Sequence, residues 1–576
     1  MTARIFTIVC CSLALAGAMA QTPPPPAGDN AKPEAHETPP DQKAYSDAQK
    51  ITDPDKKIAA LEKLRNDFPQ SVYASSADSV ILSTLIEKMP KEEARIRKVA
   101  KQIFAAAAAK DKAASKGSVI VTTANRGSAA NRIASELVDG GILLKDAESY
   151  ARKGVDMMRE NVWISERRES LAKRKQKIPP QEELAKSFAE ARAPRLATLG
   201  RVELKLGHTA EAQRLLEESY AVTKSNVDVT AALGELAAKA GDDAKAMDYL
   251  TDARLSGRAP TSANQAFETL YKKSHNGTLD GLEAMLDQEY FKRFPNPVKA
   301  EPYKATEKRS DRMVLAEVFT GSGCPPCAAA DVAFDAAMER YARKDLAVVM
   351  YHVHVPRPDP MTTLETSARS KNYGVTGVPT FSIDGKKTMG GGSRDMAPEV
   401  YDRFKGDLEK DLETPAEAHL KVGAGIGGSL VRVSAAVEGV KSESKDLKVQ
   451  ILLVEKEIRH LGENGVRFHP MVVRAFGGEK GEGYALAAGG GNFEATFDVA
   501  AISKALHKQL DEYEAKGHRG EKFTFSAKKY EIDMGNLAVV VFVQDDNTKH
   551  VLQAEYVDLS RPAMARPATE SSGDQR

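Results

Sequence analysis

Between about Ser46 and Ala300, apolar residues recur at three- and four-residue intervals among Ala, Glu and Lys. That is the spacing of one helix face, and it predicts an all-α region. The pattern repeats itself there: Leu199-Gly200 recurs as Leu233-Gly234, Gly207 as Gly241, Ala210 as Ala244, Ala212 as Ala246 and Leu216 as Leu250, a period of 34 residues. Such a repeat predicts paired helices, with small residues at their close approach and a Gly ending the first helix of each pair. Ile58–Phe68, and Ile133–Val155 around Gly140-Gly141, fit the scheme loosely. Past Pro295 and Pro297 the pattern switches. Met313–Phe319 reads as a strand, Pro325–Arg343 as a helix, Leu346–Val355 as an apolar strand and Met361–Tyr373 as a helix. Thr380–Ile383 and Lys387–Met389 read as short strands about Asp384-Gly385, and Met396–Leu412 as a closing helix. The order βαβαββα predicts a small α/β domain with a mixed sheet. From Ala418 to about Leu559 strand signals dominate, among them Leu430–Val437, Leu447–Val454, Met471–Phe476, Phe493–Val499 and Leu537–Val543. Their even spacing predicts a β-sandwich, with one helical exception at Ile502–Ala515.

Composition changes this picture little. A chain of 576 residues, 42% hydrophobic and 28% charged, is an ordinary multidomain globular protein. A net charge of +1 gives no electrostatic case for nucleic acid or an anionic membrane. The N-terminus adds a location: Arg4, the apolar run Ile5–Ala18 and Ala18-Met19-Ala20 have the layout of a cleaved signal peptide over residues 1–20. Cys10 lies inside the apolar run, not after it, which argues against a lipoprotein. No later stretch is long and apolar enough to span a bilayer. The expectation is export to the periplasm or outer envelope of a bacterium, where disulfides persist. Residues 21–45 read as a Pro-rich disordered linker, 46–300 as the helical repeats, 301–415 as the α/β domain, 416–560 as the sandwich and 561–576 as a disordered tail.

Candidate chemistry rests on cysteine. Of four in the chain, Cys10 and Cys11 fall in the signal, leaving Cys324-Pro325-Pro326-Cys327. Three chemistries fit that spacing: a redox dithiol, a static disulfide, or half of a zinc site completed by His352 and His354. A static bridge across so short a loop stabilises little by chain entropy. Zinc requires the histidine face to meet both sulfurs at bonding distance. A pair placed where a strand feeds a helix puts the first sulfur at the helix N-terminus, whose free N–H groups and dipole favour a thiolate. Cys324 then reads as an exposed nucleophile and Cys327, one turn in, as the resolving thiol. Pro325 and Pro326 suit a first helical turn.

The stretch Val318–Cys327 followed by a helix, with Tyr373-Gly374-Val375-Thr376-Gly377-Val378-Pro379-Thr380 leading into a strand, resembles the thioredoxin-like superfamily over roughly 110 residues. The resemblance implies a thiol–disulfide oxidoreductase without a cofactor or metal. It implies a cis bond at Pro379, which keeps metal off the dithiol, and substrate contacts from Val378, Pro379, Pro325 and Pro326. It also implies a protein thiol or disulfide as substrate and a redox partner that recharges the dithiol. Three positions depart from the family: Gly323 replaces its usual Trp, Val318 its buried acid, and Pro356-Arg357-Pro358-Asp359-Pro360 lengthens a loop. Glu317 is one residue from the acid's position and points to the opposite sheet face unless a bulge intervenes. The period-34 region resembles tetratricopeptide repeats, which implies a surface for a protein partner. Leu452–Glu455, His469–Arg474 and Phe542–Asp545 resemble the sandwich that follows a thioredoxin-like domain in bacterial envelope proteins related to an outer-membrane protein of Bacteroidetes. The competing expectation is an envelope adaptor with a catalytically inactive thioredoxin-like module. For His469 and Arg474, a site and a structural role both stand.

Overall fold

The fold is that of a computed structural model describing residues 39–116, 122–518 and 522–559. The expected signal peptide, most of the expected linker and the expected tail lie outside the described residues. Thirteen helices among the described residues, α1–α13, run from Pro40 to Arg293. The first, α1 (Pro40–Gln49), begins inside the stretch read as linker. Proline at the first helical position leaves no bond unmade, so Pro40 opens this helix instead of preventing it.

The 34-residue repeat has a direct geometric counterpart in α8 (Gln181–Leu206), α9 (Thr209–Val222), α10 (Val227–Lys239) and α11 (Asp243–Leu255). A Cβ at Gly200 would lie 2.8 Å from Leu216 Cγ, and one at Gly234 would lie 2.6 Å from Leu250 Cγ. Corresponding glycines therefore meet corresponding leucines across each hairpin. Gly207 and Gly241, at φ 86° and 80°, adopt the left-handed conformation that ends the first helix of each pair.

Beyond α13 (Leu282–Arg293) the chain forms β1 (Val314–Thr320), α14 (Cys327–Arg340), β2 (Leu346–His352), α15 (Leu364–Asn372), β3 (Thr380–Ile383), β4 (Lys386–Met389) and α16 (Ala397–Leu412). It continues as β5 (His419–Gly427), β6 (Leu430–Glu438), β7 (Leu447–Arg459), β8 (Phe468–Phe476), β9 (Tyr484–Ala485), β10 (Gly490–Asp498), α17 (Val499–Lys516), β11 (Leu537–Asp545) and β12 (Val551–Asp558). No helix of the described residues is long and apolar enough to cross a membrane.

One finding departs from the expected separation at residue 415. Strands from both sides of it join one sheet, ordered β12-β11-β7-β8-β2-β1-β3-β4 with β9 on β7, and Met350 of β2 pairs with Val472 of β8 at the seam. The sheet curls, so that β11 and β12 return against β1 and β2. Leu315, Phe319, Tyr351, Val454, Val473, Val540 and Phe542 share the core inside the curl. On the other face, α14 and α16 cover β1–β3, and the three-stranded sheet β10-β6-β5 covers β7 and β11. The alternation read from sequence locates these strands but not their partners, because a strand buried on both faces carries no mark of which neighbour it pairs with.

Buried charge ties the curl together. Arg312, 2% exposed, reaches Asp384 Oδ2 at 3.1 Å, Val551 O at 2.9 Å and Glu417 Oε1 at 3.1 Å. Inside the curl, Glu317 accepts from Tyr351 Oη (2.8 Å), Arg369 Nη2 (2.6 Å) and Tyr373 Oη, while Gln544 Nε2 donates to Tyr373 Oη at 2.8 Å. Each charge in this group has its counter-charge and donors, as burial at such depth requires.

Candidate functional site

The sulfurs of Cys324 and Cys327 are joined, with their Cα atoms 5.3 Å apart. The turn that carries them is tighter than an α-turn: Cys324 N–H donates to Gly321 O and Cys327 N–H to Cys324 O, both at 3.0 Å. Helix α14 therefore starts at Cys327, not at Pro325, and Cys327 is its first residue instead of lying one turn in. Pro326 stands at the N-cap, and its carbonyl accepts from Gly392 N–H at 2.8 Å. Pro325 and Pro326 are exposed, whereas Cys324, expected exposed, keeps only 1% of its surface accessible and Cys327 none. On one side of the pair the Val378–Pro379 peptide is cis, and Val378 O lies 3.7 Å from Cys324 Sγ. The structure thus brings together all six residues singled out in the sequence: Cys324, Cys327, Pro325, Pro326, Val378 and Pro379.

Residues not singled out complete the surroundings. The Gly390-Gly391-Gly392 run threads between the dithiol turn and the proline loop. A Cβ at Gly391 would lie 2.4 Å from Pro326 O and 2.5 Å from Pro379 Cγ, so only glycine fits. Three glycines between a strand and a helix were the visible signal. At Gly323 the space of a larger side chain is taken by Arg357, whose Cβ would lie 2.9 Å from an added Cβ. The loop 356–360 thus fills the space beside Gly323. Arg357 in turn pairs with Glu463 from the β7–β8 connection.

A buried acid is present, but it comes from the helix. Glu317 faces away from the dithiol, inside the curl, and Val318 faces α14. Asp331, 3% exposed on α14 and four residues after Cys327, accepts from Thr320 Oγ1 at 2.7 Å. Burial pushes its carboxyl up to about 6, against the opposing hydrogen bonds from Thr320 and Asn464. An acid on the buried face of the Ala-rich run Ala328-Ala329-Ala330 was the sequence signal for it.

Behind the turn lies a chain of histidines held by Asp359. Asp359 Oδ2 accepts from Ser322 N–H at 2.6 Å and from His352 Nδ1 at 2.9 Å, and Oδ1 accepts from Met361 N–H at 2.8 Å. Its own N–H donates to His354 Nδ1 at 3.0 Å. These partners fix the tautomers: His352 carries a proton on Nδ1 and His354 does not. Burial raises the Asp359 carboxyl, but His352 and the two backbone donors outweigh it and hold it well below the usual carboxylate range. His352 is ring-to-edge with His469 at 5.1 Å, and His469 Nε2 donates to His460 O at 2.8 Å. Desolvation, with His352 and His460 beside it, pushes His469 well below its ordinary value. His469 thus belongs to this buried chain. Arg474, 1% exposed, instead forms an ion pair with Glu455 at 3.1 Å. Both histidines considered as zinc donors engage Asp359. Among the described residues, the grouping able to offer three ligand atoms to an ion is remote from the dithiol, at Glu148, Glu203 and His208. Arg152 already supplies the positive charge there, 2.6 Å from Glu203 and 3.2 Å from Glu148.

Comparison with protein-family models and with curated proteins finds no match to this chain.

Proposed function

We propose that the protein is an extracytoplasmic thiol–disulfide oxidoreductase whose Cys324–Cys327 pair exchanges with protein disulfides. On this reading residues 301–415 form a thioredoxin-like unit, the helical region is a tetratricopeptide-like array that positions a protein partner, and the C-terminal strands form a sandwich beside it. The observation that carries the proposal is the placement of the disulfide at the N-terminus of α14, with Cys324 Sγ 3.7 Å from Val378 O in the cis-proline loop. The order β1-α14-β2-α15-β3-β4-α16, with β1 parallel to β2 and antiparallel to β3, supports the thioredoxin-like assignment.

In the reduced state the Cys324 thiolate attacks a substrate disulfide and forms a mixed disulfide, and one substrate sulfur leaves as thiolate. Cys327 then attacks Cys324 Sγ. The intramolecular bond re-forms, the second substrate sulfur leaves, and two electrons have passed to the substrate. The reverse sequence oxidises a substrate dithiol. A dithiol or disulfide partner restores the starting state in either direction.

One observation favours the competing reading of an inactive module in an envelope adaptor: the burial of both sulfurs. Alkylation of reduced Cys324 against pH, paired with insulin disulfide reduction in wild type and Cys324→Ser, separates the two. The oxidoreductase reading expects a thiol pKa below the ordinary value near 8.5 and turnover abolished by the substitution. An unshifted thiol with no turnover in wild type leaves the adaptor.

A further inference from the structure

The connection between β7 and β8, residues 460–467, leaves its own sheet and abuts the turn before Cys324. Its internal bonds are closed: Gly462 N–H donates to Val466 O at 2.8 Å, Gly465 N–H to Gly462 O at 2.9 Å, and Asn464 Oδ1 accepts from Val466 N–H at 3.0 Å. What it presents outward is Asn464. The backbone N–H of Asn464 donates to Ser322 O at 3.0 Å, while its Nδ2 lies 3.4 Å from Asp331 Oδ2 and 3.5 Å from Gly321 O. Gly462 fits so closely that a Cβ there would lie 2.7 Å from Ser322 O.

We propose that Asn464 is a positioning residue for the dithiol, holding Asp331 as the group that takes the proton of Cys327. The inference rests on the oxidoreductase reading. Thr320 donates to one oxygen of Asp331 and the Asn464 amide faces the other, so the carboxylate is oriented from two sides by neutral donors. A helix brings residues four apart to one face, which places Asp331 beside Cys327. When Cys327 attacks the mixed disulfide, its S–H proton passes to Asp331, the Cys327–Cys324 bond forms, and the bond from Cys324 to the substrate sulfur breaks. The substrate sulfur departs with the electron pair. Asp331 then releases its proton to water or to the departing thiolate. Three other titratable groups bear on Asp331: His352 and Asp359 from β2 and the loop after it, and Asp335 one turn further along α14. Asn464 is uncharged, so its replacement by Ala changes a donor without removing a charge.

The test uses the full chain, reduced, with insulin as substrate, in wild type, Asn464→Ala and Asn464→Asp. Aspartate retains an acceptor for Val466 N–H and so preserves the turn, but sets a second carboxylate where the donor stood. Loss of the donor disfavours the ionised form of Asp331. The pH midpoint of insulin turnover is expected to rise by about half a unit in Asn464→Ala, roughly threefold in proton affinity, and by more in Asn464→Asp. The melting temperature of Asn464→Asp is expected near wild type and that of Asn464→Ala lower, because Val466 N–H loses its acceptor. Midpoints coincident with wild type in both variants overturn the proposal, as does a loss of rate uniform across pH, which would mark a merely structural role. Wild type without turnover or a lowered thiol pKa refutes the oxidoreductase reading instead, so the two failures are distinguishable.

Discussion

Asp331 illustrates how one residue sets opposing demands. Its carboxyl sits near 6 in the folded protein against an ordinary 3.8, so between those values the native state holds a proton that the unfolded chain has lost. Stability contributed by this group therefore falls as pH rises from about 4 to about 6. Asn cannot titrate and keeps an acceptor for Thr320. Asp331→Asn is expected to match wild type near pH 4 and to exceed it by on the order of 2 kcal/mol at pH 7, measured by urea denaturation at each pH. The same variant is expected to resolve mixed disulfides more slowly at every pH. His469 acts in the other direction. Its folded value lies below the unfolded one, so its contribution is present above about 6.5 and is lost as pH falls below it. At this scale the sequence revealed the two cysteines and their prolines, because chemistry that depends on short spacing is written in consecutive letters. Asp331, Asp359 and Asn464 were not legible as a group. They come from three segments, and only the fold brings them together.

Helices were the most legible elements, and the two repeat glycines show why. Gly200 and Gly234 recur because each faces a buried leucine at a distance that leaves no room for a methyl group. Ala has the better helix propensity by about 1 kcal/mol, yet overpacking a tight core costs about 1–3 kcal/mol, and Leu250, 1% exposed, has nowhere to move. Gly234→Ala is expected to destabilise the protein by about 1 kcal/mol in chemical denaturation. Gly406 is the control: it lies on the exposed face of α16 with nothing within 4 Å of an added Cβ. Gly406→Ala is expected to stabilise by about 0.4–1 kcal/mol. The boundaries near Cys327 were less legible than the helices themselves. Consecutive prolines permit either a first helical turn or the tighter turn found here, and the Gly392 N–H that donates to the Pro326 carbonyl lies far away in the chain.

The whole molecule differs most from a string of separate units. Strands from before and after residue 415 join one sheet, and Arg312 reaches Asp384 on one side of that position and Glu417 and Val551 on the other. Cutting there would bare the edge of β2 and open the core shared by Phe319, Tyr351, Val473 and Phe542. A fragment of residues 301–415 is expected to aggregate or to lack a cooperative unfolding transition, whereas residues 301–559 retain both halves of the sheet. Size-exclusion chromatography and thermal denaturation of the two fragments check this. Long-range pairing of this kind was illegible because strand patterning specifies a face and a length, and seldom a neighbour.

The helical region closes on the same place. Arg467 bonds Glu283 and Asp287 of α13 at 2.6 and 2.7 Å, and Phe468 stacks on Phe291 at 5.0 Å. The turn after α11 approaches still more closely: Gly257, at φ 72°, lies so near the β7–β8 connection that a Cβ there would fall 1.9 Å from Gly462 O. Backbone meets backbone, with no side chain to absorb a misfit. A side chain at position 257 or 462 would press through to Ser322, two residues before Cys324, so a substitution in the helical region would register at the turn that carries the disulfide.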